Sequence, residues 1–333
     1  MSKVVFIAGM HRSGTSMLAR ILNLCGVYLG HKDNLLGSDK DNKEGYWENV
    51  QFTSINNKLL SELGGGWDYP PRVSDRWEIS NQLSYIRSEA TELIRQFSAY
   101  DQWGWKDPRN SLTLPFWRKL IPDIKVIVCV RNPLEVTGSL IKRNYFSPAM
   151  AFNLWFEYNQ RLLSDSDPKS RIISHYDSFF YDAEAEIRRV LRFLELKVTE
   201  TEIKQSTATV NLQLRHNHAT FWDVAMKAPL KVTELYQKLC TQTEMSPQLL
   251  DGHSQVQRLT GDILQSEKVT EESAYVLSIR LQAAKRIISE NEKIMELLMT
   301  QLHAKEKELT NIYQSKAWRV IQMIREARSR YFG

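Results

Sequence analysis

The fold is decided by the stretch Val4-Val5-Phe6-Ile7-Ala8-Gly9-Met10-His11-Arg12-Ser13-Gly14-Thr15-Ser16-Met17. Its apolar start is typical of a buried strand, and the residues after it carry apolar side chains at helical spacing, at Leu18, Ile21, Leu22 and Cys25. Gly9 and Gly14 allow the backbone to turn its N–H groups inward, and the helix N-terminus near Thr15 adds its dipole. We predict a phosphate-binding loop between strand and helix. The alternative is an ordinary glycine-containing turn.

The spacing of Gly9 and Gly14 is that of the Walker A loop, G-x-x-x-x-G-K-[ST], but Thr15 stands where that motif has lysine. In nucleoside triphosphatases this lysine contacts the β- and γ-phosphates, beside a Mg²⁺ ion. Its replacement argues against a P-loop kinase. Arg12 supplies a positive charge within the loop instead.

A second strand-to-helix junction lies near the middle of the chain. Residues 124–130 form another apolar run, which leads directly into Arg131-Asn132-Pro133 and a predicted helix that carries Ser139. Pro133 suits the first turn of a helix, where its missing N–H costs nothing. Ligands of open α/β sheets bind at the carboxyl ends of the strands, where Arg131 is expected. The alternative is an arginine that caps the strand and a serine on a solvated face.

These motifs together resemble those of a known family. Arg12-Ser13-Gly14-Thr15-Ser16 resembles the 5′-phosphosulfate loop of the sulfotransferases, in which lysine or arginine precedes Ser-Gly-Thr. Arg131 and Ser139 have the spacing of the pair that grips the 3′-phosphate of that family's sulfate donor. Further segments follow in the order seen in bacterial sulfotransferases, namely 45–49 (Gly-Tyr-Trp-Glu-Asn), 105–109 (Trp-Lys-Asp-Pro-Arg) and 174–177 (Ser-His-Tyr-Asp). The resemblance covers about the first two thirds of the chain.

The resemblance implies an α/β fold, with a P-loop-like parallel sheet of about five strands flanked by helices. It also implies in-line transfer of a sulfuryl group from 3′-phosphoadenosine-5′-phosphosulfate to a hydroxyl or amine, which leaves adenosine 3′,5′-bisphosphate. No metal is required, because the group in flight is less negatively charged than a phosphoryl group. The residues expected to bind the donor are His11, Arg12, Ser13, Gly14, Thr15, Ser16, Arg131 and Ser139.

Two cations are candidates for stabilising the charge that develops on the leaving phosphate. Arg12 is the first, and Lys106, at the end of another predicted strand, is the second. The alternative for Lys106 is a salt bridge to Asp107 or to a helix carboxylate. Cytosolic members of the family have lysine where this chain has Arg12. The loop is therefore closer to that of the tyrosylprotein and Golgi-type enzymes, and the catalytic histidine of the cytosolic members is not carried over.

The acceptor must lose a proton, so the chemistry needs a general base. In family members with an arginine in the loop the base is a downstream glutamate, and Glu48 fits that position. Asp41, Glu44 and His11 are the alternative bases. The structural alternative for Glu48 is a carboxylate at a helix start, which the helix dipole favours there.

The composition is that of a folded intracellular enzyme. The chain has 333 residues, three cysteines and a formal net charge of +5. So few cysteines predict reduced thiols, and the small charge with no nucleic-acid motif argues against a nucleic-acid partner. The sequence opens directly into the first strand, which predicts no signal peptide. No stretch has the length of a membrane span. We therefore expect a cytoplasmic location.

The C-terminal third differs from the rest of the chain. Residues 277–312 carry apolar residues at alternating steps of four and three, a heptad pattern that predicts a coiled coil and self-association. The alternative is a long helix that folds back on the catalytic domain. Residues 316–330 form a basic amphipathic helix, suited either to the anionic inner face of a membrane or to capping the coiled coil. Similar tails occur on bacterial cell-surface glycosyltransferases, which favours a saccharide or glycolipid acceptor.

The predicted organisation is a sulfotransferase domain over 1–225, a helical linker or extension over 226–270, the coiled coil over 271–313 and the basic tail over 314–333. Two rival functions are kept. One is a P-loop small-molecule kinase, against which Thr15 argues. The other is a non-catalytic nucleotide-binding scaffold assembled by the coiled coil. The joint presence of Arg12, Lys106, Arg131 and Ser139 argues against a scaffold.

Overall fold

The structure of the protein is a computed structural model. It describes residues 2–37, 45–210 and 219–243 and, near the C-terminus, residues 296, 299–308, 310–311, 318 and 320. The chain divides into two compact units, Met1–Ile263 and Leu264–Gly333. The first unit contains all of the strands and helices described below, apart from the C-terminal helical residues.

The centre of the first unit is a parallel sheet. Its strands are β1 (Lys3–Ala8), β2 (Gln102–Lys106), β3 (Lys125–Val130) and β4 (Arg171–His175). In the described residues the sheet has four strands, in the order β2-β1-β3-β4, and every neighbouring pair is parallel. The predicted α/β architecture is confirmed, with four strands where about five were expected.

Helices connect the strands and cover the sheet. Their bounds are α1 (Thr15–Leu24), α2 (Val50–Glu62), α3 (Ser84–Phe97), α4 (Asn110–Leu120), α5 (Pro133–Asn144), α6 (Pro148–Asp165), α7 (Ser178–Tyr181), α8 (Ala183–Leu194), α9 (Glu200–Ala208), α10 (Phe221–Lys227) and α11 (Leu230–Cys240). Short 3₁₀ turns occur at Lys32–Asn34, Trp77–Ile79 and Asn81–Leu83.

Both faces of the sheet are buried, as the apolar runs of its strands predict. Successive side chains of a strand point to opposite faces. Phe6 accordingly joins a core cluster with residues of α2, α3, α4, α6 and α11, and Ile7 joins a second cluster with residues of α1, α8 and α9. The first cluster holds four fully buried tryptophans, Trp103, Trp105, Trp117 and Trp155. These tryptophans stabilise the core.

The strand order determines where a ligand binds. After β1 the chain forms β2 on one side of β1, and then crosses to form β3 on the other side. The segments that follow β1 and β3 therefore diverge at the carboxyl edge of the sheet and leave a crevice, which is the usual binding position in open α/β sheets. The glycine loop and Arg131 lie at this edge.

The three cysteines, Cys25, Cys129 and Cys240, are buried free thiols. Burial raises the pKa of the Cys129 thiol, and it raises the pKa of Cys240 to about 12. The reduced state of these thiols stays a prediction from the sequence.

The C-terminal predictions concern a part of the chain that is only partly described. Residues 299–308 of the second unit are helical, with Met299 63% and Leu302 55% exposed. Most of the predicted coiled coil (277–312) and of the basic tail (316–330) lies outside the described residues, so both remain predictions. Helix α11 packs into the core of the first unit. Among the described residues, no helix combines the length and apolar character needed to cross a membrane.

Candidate active site

The glycine loop joins β1 to α1 through three residues with positive φ. These are Gly9 (146°), Arg12 (70°) and Gly14 (84°), and α1 begins directly after Gly14. The Gly9 N–H donates a hydrogen bond to Ser111 Oγ at 3.0 Å. A Cβ at Gly9 would lie 2.3 Å from the Cys129 carbonyl oxygen, so only glycine lets the loop pass this close to β3. The loop is thus tied into the sheet at its first residue.

The second loop glycine supports a test of this geometry. At Gly14 an added Cβ would lie 2.3 Å from Tyr176 Cδ2, and the backbone there is left-handed. We expect Gly14→Ala to destabilise the protein by roughly 1–3 kcal/mol from backbone strain, before the overlap with Tyr176 is counted. Urea unfolding monitored by tryptophan fluorescence measures this change.

Gly138 provides the matched control. It lies inside α5, and an added Cβ meets no heavy atom within 4 Å. Gly138→Ala should therefore stabilise the protein by roughly 0.5–1 kcal/mol through helix propensity. Equal effects of the two substitutions would contradict the loop geometry described here.

The structure brings Arg12, Ser139 and Arg131 together. Arg12 Nε donates a hydrogen bond to Ser139 Oγ at 2.8 Å, although the two residues are 127 positions apart in sequence. Arg131 Nη1 donates to the Arg12 carbonyl oxygen at 3.3 Å. The side chains predicted for the two ends of the donor thus form one connected group at the carboxyl ends of β1 and β3.

Arg131 is held in place from several directions. Its Nε donates to Glu135 Oε2 at 2.8 Å, and its guanidinium lies 4.3 Å from the centre of the Tyr176 ring. Trp155 Nε1 donates to the Arg131 carbonyl oxygen at 3.1 Å. Burial raises the pKa of Glu135, which the positive charge of Arg131 partly counteracts. These contacts fix the position of the Arg131 guanidinium before any ligand binds.

The two other candidate catalytic residues, Lys106 and Glu48, form a buried ion pair. Lys106 Nζ donates to Glu48 Oε1 at 2.7 Å, and the two side chains are 2% and 8% exposed. Lys106 Nζ also donates to the Tyr46 carbonyl oxygen at 3.0 Å, and Ser16 Oγ donates to the same oxygen at 3.1 Å. The Tyr46 carbonyl oxygen thus links Lys106 to Ser16 in the first turn of α1.

The sequence also offered other partners or roles for Lys106 and Glu48. Asp107, the neighbour proposed as a salt-bridge partner of Lys106, instead accepts from Arg109 Nη1 at 2.9 Å. The N-cap of α2 is Asn49, whose side chain accepts from the Gln51 N–H at 3.0 Å, so Glu48 is not the capping residue. The alternative bases Asp41 and Glu44 lie outside the described residues.

His11 lies in the loop, next to Arg12 in sequence. Its ring centre is 4.6 Å from that of Trp67 and 5.9 Å from that of Tyr158. Burial, followed by the positive charges of Arg109 and Lys106, lowers the pKa of His11 well below 6.5, so the ring is neutral at pH 7. Its Nε2 and the buried Ser13 hydroxyl have no hydrogen-bond partner within the described part of the chain.

The remaining donor candidates lie where the loop enters α1. Thr15 is buried at the first position of the helix, and Ser16 follows it. Within the described ranges, no group of three or more His, Cys, Asp or Glu residues is placed to hold a metal ion.

A comparison with models of protein families shows which family the chain belongs to. The model described as "Sulfotransferase family" matches residues 4–200, which is more than half of the chain and includes every predicted site residue. The chain belongs to the sulfotransferase family. The resemblance inferred from the loop and from the Arg131 motif is therefore confirmed at the level of the family.

Two curated relatives of this sulfotransferase are nematode proteins, each named "Putative protein-tyrosine sulfotransferase". The Caenorhabditis briggsae protein is 24% identical over 210 residues, which cover 60% of this chain and 67% of the relative. The Caenorhabditis elegans protein is 26% identical over 108 residues, 30% of this chain and 42% of the relative. Among solved structures, sulfotransferase STF9 from Mycobacterium avium matches with a TM-score of 0.44 and 13% identity, over 75% of this chain and 77% of the other.

Two residues of the candidate site were not singled out from the sequence. Glu135 stands in the first turn of α5, four positions after Arg131, so its sequence position next to a cation offered a signal. Arg109, whose Nη1 lies 3.6 Å from Glu48 Oε2, offered no such signal, because its distant partner comes from another segment of the chain.

Proposed function

We propose that this sulfotransferase transfers a sulfuryl group from 3′-phosphoadenosine-5′-phosphosulfate to a hydroxyl acceptor. The observation that carries the proposal is the connected group of Arg12, Ser139 and Arg131, with the Lys106–Glu48 pair beside it. Cations and hydroxyls at the start of a helix suit a ligand with a negative charge at each end.

The residues present fit such a donor. Gly9 and Gly14 turn the loop backbone through positive φ directly before the N-terminus of α1, where the N–H groups of the first turn favour an anion. The buried Ser13 hydroxyl, which has no partner in the described residues, is available to it. We assign the 5′-phosphosulfate to the loop, at His11, Arg12, Ser13, Gly14, Thr15 and Ser16. Arg131 and Ser139 are assigned to the 3′-phosphate.

The donor supplies the sulfuryl group when bound: the acceptor oxygen bonds to sulfur, the S–O bond to the 5′-phosphate breaks with its electron pair on that phosphate, and the acceptor proton leaves. Glu48 is the proposed base that takes this proton at its carboxylate. Arg12 and Lys106 are the proposed cations that stabilise negative charge at the loop. His11 contributes as a neutral hydrogen-bonding ring, because its lowered pKa keeps it uncharged.

The proposed acceptor is a saccharide or glycolipid hydroxyl. Trp67, whose ring lies beside His11, provides an aromatic surface of the kind on which sugar rings stack. The names of the two nematode relatives favour a second candidate, a tyrosine hydroxyl in a protein. Both acceptors present a hydroxyl to the same base.

The proposal extends to the C-terminal segments. Self-association through 277–312 and contact of 316–330 with an anionic membrane surface remain proposals from the sequence, as do the cytoplasmic location and the domain boundaries at residues 225, 270 and 313. The helical residues 299–308 are compatible with the first of these.

Calorimetric titration of the full chain tests the donor site. We expect adenosine 3′,5′-bisphosphate to bind with at least roughly tenfold higher affinity than ATP with Mg²⁺, because Thr15 replaces the lysine that triphosphates require. Tighter binding of ATP with Mg²⁺ would support the kinase alternative. Absence of binding by either nucleotide contradicts the proposed donor.

A transfer assay with ³⁵S-labelled donor distinguishes the acceptors. It compares oligosaccharides, a glycolipid in vesicles and a tyrosine-containing peptide with the same peptide carrying phenylalanine. Label on the saccharides supports the first acceptor class, and label confined to the tyrosine peptide supports the second.

A further inference from the structure

The carboxylate of Glu48 lies between two cations. Lys106 Nζ contacts Oε1 at 2.7 Å, and Arg109 Nη1 lies 3.6 Å from Oε2. Because Glu48 is 8% exposed, its negative charge needs a nearby positive charge at all times. Asp107, a second buried carboxylate, also pairs with Arg109 Nη1, at 2.9 Å, so two cations face two carboxylates and Arg109 contacts both of them.

Arg109 is held rigidly by a fully buried acid. Asp107 Oδ1 accepts from both the backbone N–H and Nη1 of Arg109, each at 2.9 Å. Asp107 Oδ2 accepts from Asn56 Nδ2 at 2.9 Å, and Asn56 Oδ1 in turn accepts from Thr113 Oγ1 and Trp117 Nε1. This network of core side chains determines the direction of the Arg109 guanidinium, which is 14% exposed.

Lys106, by contrast, has a flexible stem and divides its hydrogen bonds between Glu48 and the Tyr46 carbonyl. Its proposed role, to stabilise negative charge at the loop, requires the ammonium to turn from Glu48 toward α1. At that moment Glu48 would be a buried carboxylate without a partner unless another cation held it. A buried, unpaired charge is strongly destabilising.

We infer that Arg109 is a positioning residue that holds Glu48 Oε2 when Lys106 turns away, and so leaves Oε1 to receive the acceptor proton. The inference rests on the proposed function for its catalytic meaning, but the contact itself is a property of the folded chain. Lys106 therefore serves the loop, while Arg109, fixed by Asp107, serves the base.

A thermal-unfolding cycle on the full chain tests the contact without any ligand. Lys106→Met imitates the turned-away lysine, and Asp107→Asn removes the second carboxylate that pairs with Arg109 in every background. Glu48→Gln is then introduced with Arg109 present or replaced by methionine. With Arg109 present, Glu48→Gln should lower the melting temperature, because it removes a paired charge. With Arg109→Met, the same change should raise the melting temperature, because it removes an unpaired one.

Arg118→Met, on the helix that Arg109 caps, is the matched control. Arg118 is partly buried, and it donates a hydrogen bond to the Asp165 carbonyl oxygen and not to Glu48. With Arg118→Met in place of Arg109→Met, the effect of Glu48→Gln should keep its negative sign. The same sign in all backgrounds overturns the inference.

Kinetics of the single variants provide a second measurement, in case the multiple variants do not fold. Arg109→Met should lower kcat about tenfold while the affinity for adenosine 3′,5′-bisphosphate stays within about twofold, and Arg109→Lys should recover part of the loss. A parallel loss of bisphosphate affinity, or an unchanged kcat, overturns the positioning role. Wild-type protein that binds no bisphosphate overturns the proposed function instead, and the sign of the thermal cycle still decides whether Arg109 holds Glu48.

Discussion

Replacement of Arg131 by alanine should weaken the binding of adenosine 3′,5′-bisphosphate at least roughly 100-fold. Hydrogen bonds to charged groups contribute about 1.5–3 kcal/mol each, so the loss of two such bonds to the 3′-phosphate costs about 3–6 kcal/mol. The structure supports a large value because Glu135 and the Tyr176 ring already orient Arg131. Little conformational entropy is then lost on binding. Calorimetry on the wild type and the variant measures the ratio.

The substitution also leaves Glu135 buried without its cation, so stability must be separated from binding. Burial already raises the pKa of Glu135. The double variant Arg131→Ala/Glu135→Gln removes the unpaired charge and should bind the bisphosphate as weakly as the single variant. Arg118 lies on α4 and is the control residue. The Arg118→Ala variant should bind adenosine 3′,5′-bisphosphate as tightly as the wild type does. Bisphosphate affinity within fivefold of wild type in the Arg131 variants would falsify the assignment of Arg131 to the 3′-phosphate.

Glu48→Gln should lower the rate of sulfuryl transfer by roughly 10²- to 10⁴-fold, the usual contribution of a general base. Glutamine has the shape of glutamate, and its amide oxygen can still accept the hydrogen bond from Lys106 Nζ. The loss of the buried counter-charge should lower the melting temperature, whereas the affinity for adenosine 3′,5′-bisphosphate should change little. Single-turnover transfer assays beside calorimetry separate the rate of the chemical step from donor binding.

Glu92→Gln is the matched control for this prediction. Glu92 is also a carboxylate paired with a cation, since Arg95 Nη2 lies 2.7 Å from its Oε1, but it is exposed on α3. Its replacement should leave the transfer rate unchanged. A Glu48→Gln rate within tenfold of wild type would move the base to Asp41, Glu44 or His11, the alternatives that the sequence offers.

Much of this fold follows from local sequence patterns. The apolar runs 4–8 and 124–130 predicted two buried strands, and the structure forms β1 and β3 there. Pro133 was expected in the first turn of a helix, and it is the first residue of α5. These features are properties of neighbouring residues, because backbone preferences and hydrophobic periodicity act over a few positions.

Local patterns along the chain were thus enough to predict the parallel α/β class, the glycine loop and the family of the chain. Which charges meet is a property of the tertiary structure. Lys106 pairs with Glu48, 58 positions away, while its neighbour Asp107 binds Arg109. Adjacent residues at a strand end point in different directions, and their partners are determined by where α2 and the loop pack against the sheet. Charge pairing depends on distance in space, which a linear pattern of residue types does not contain.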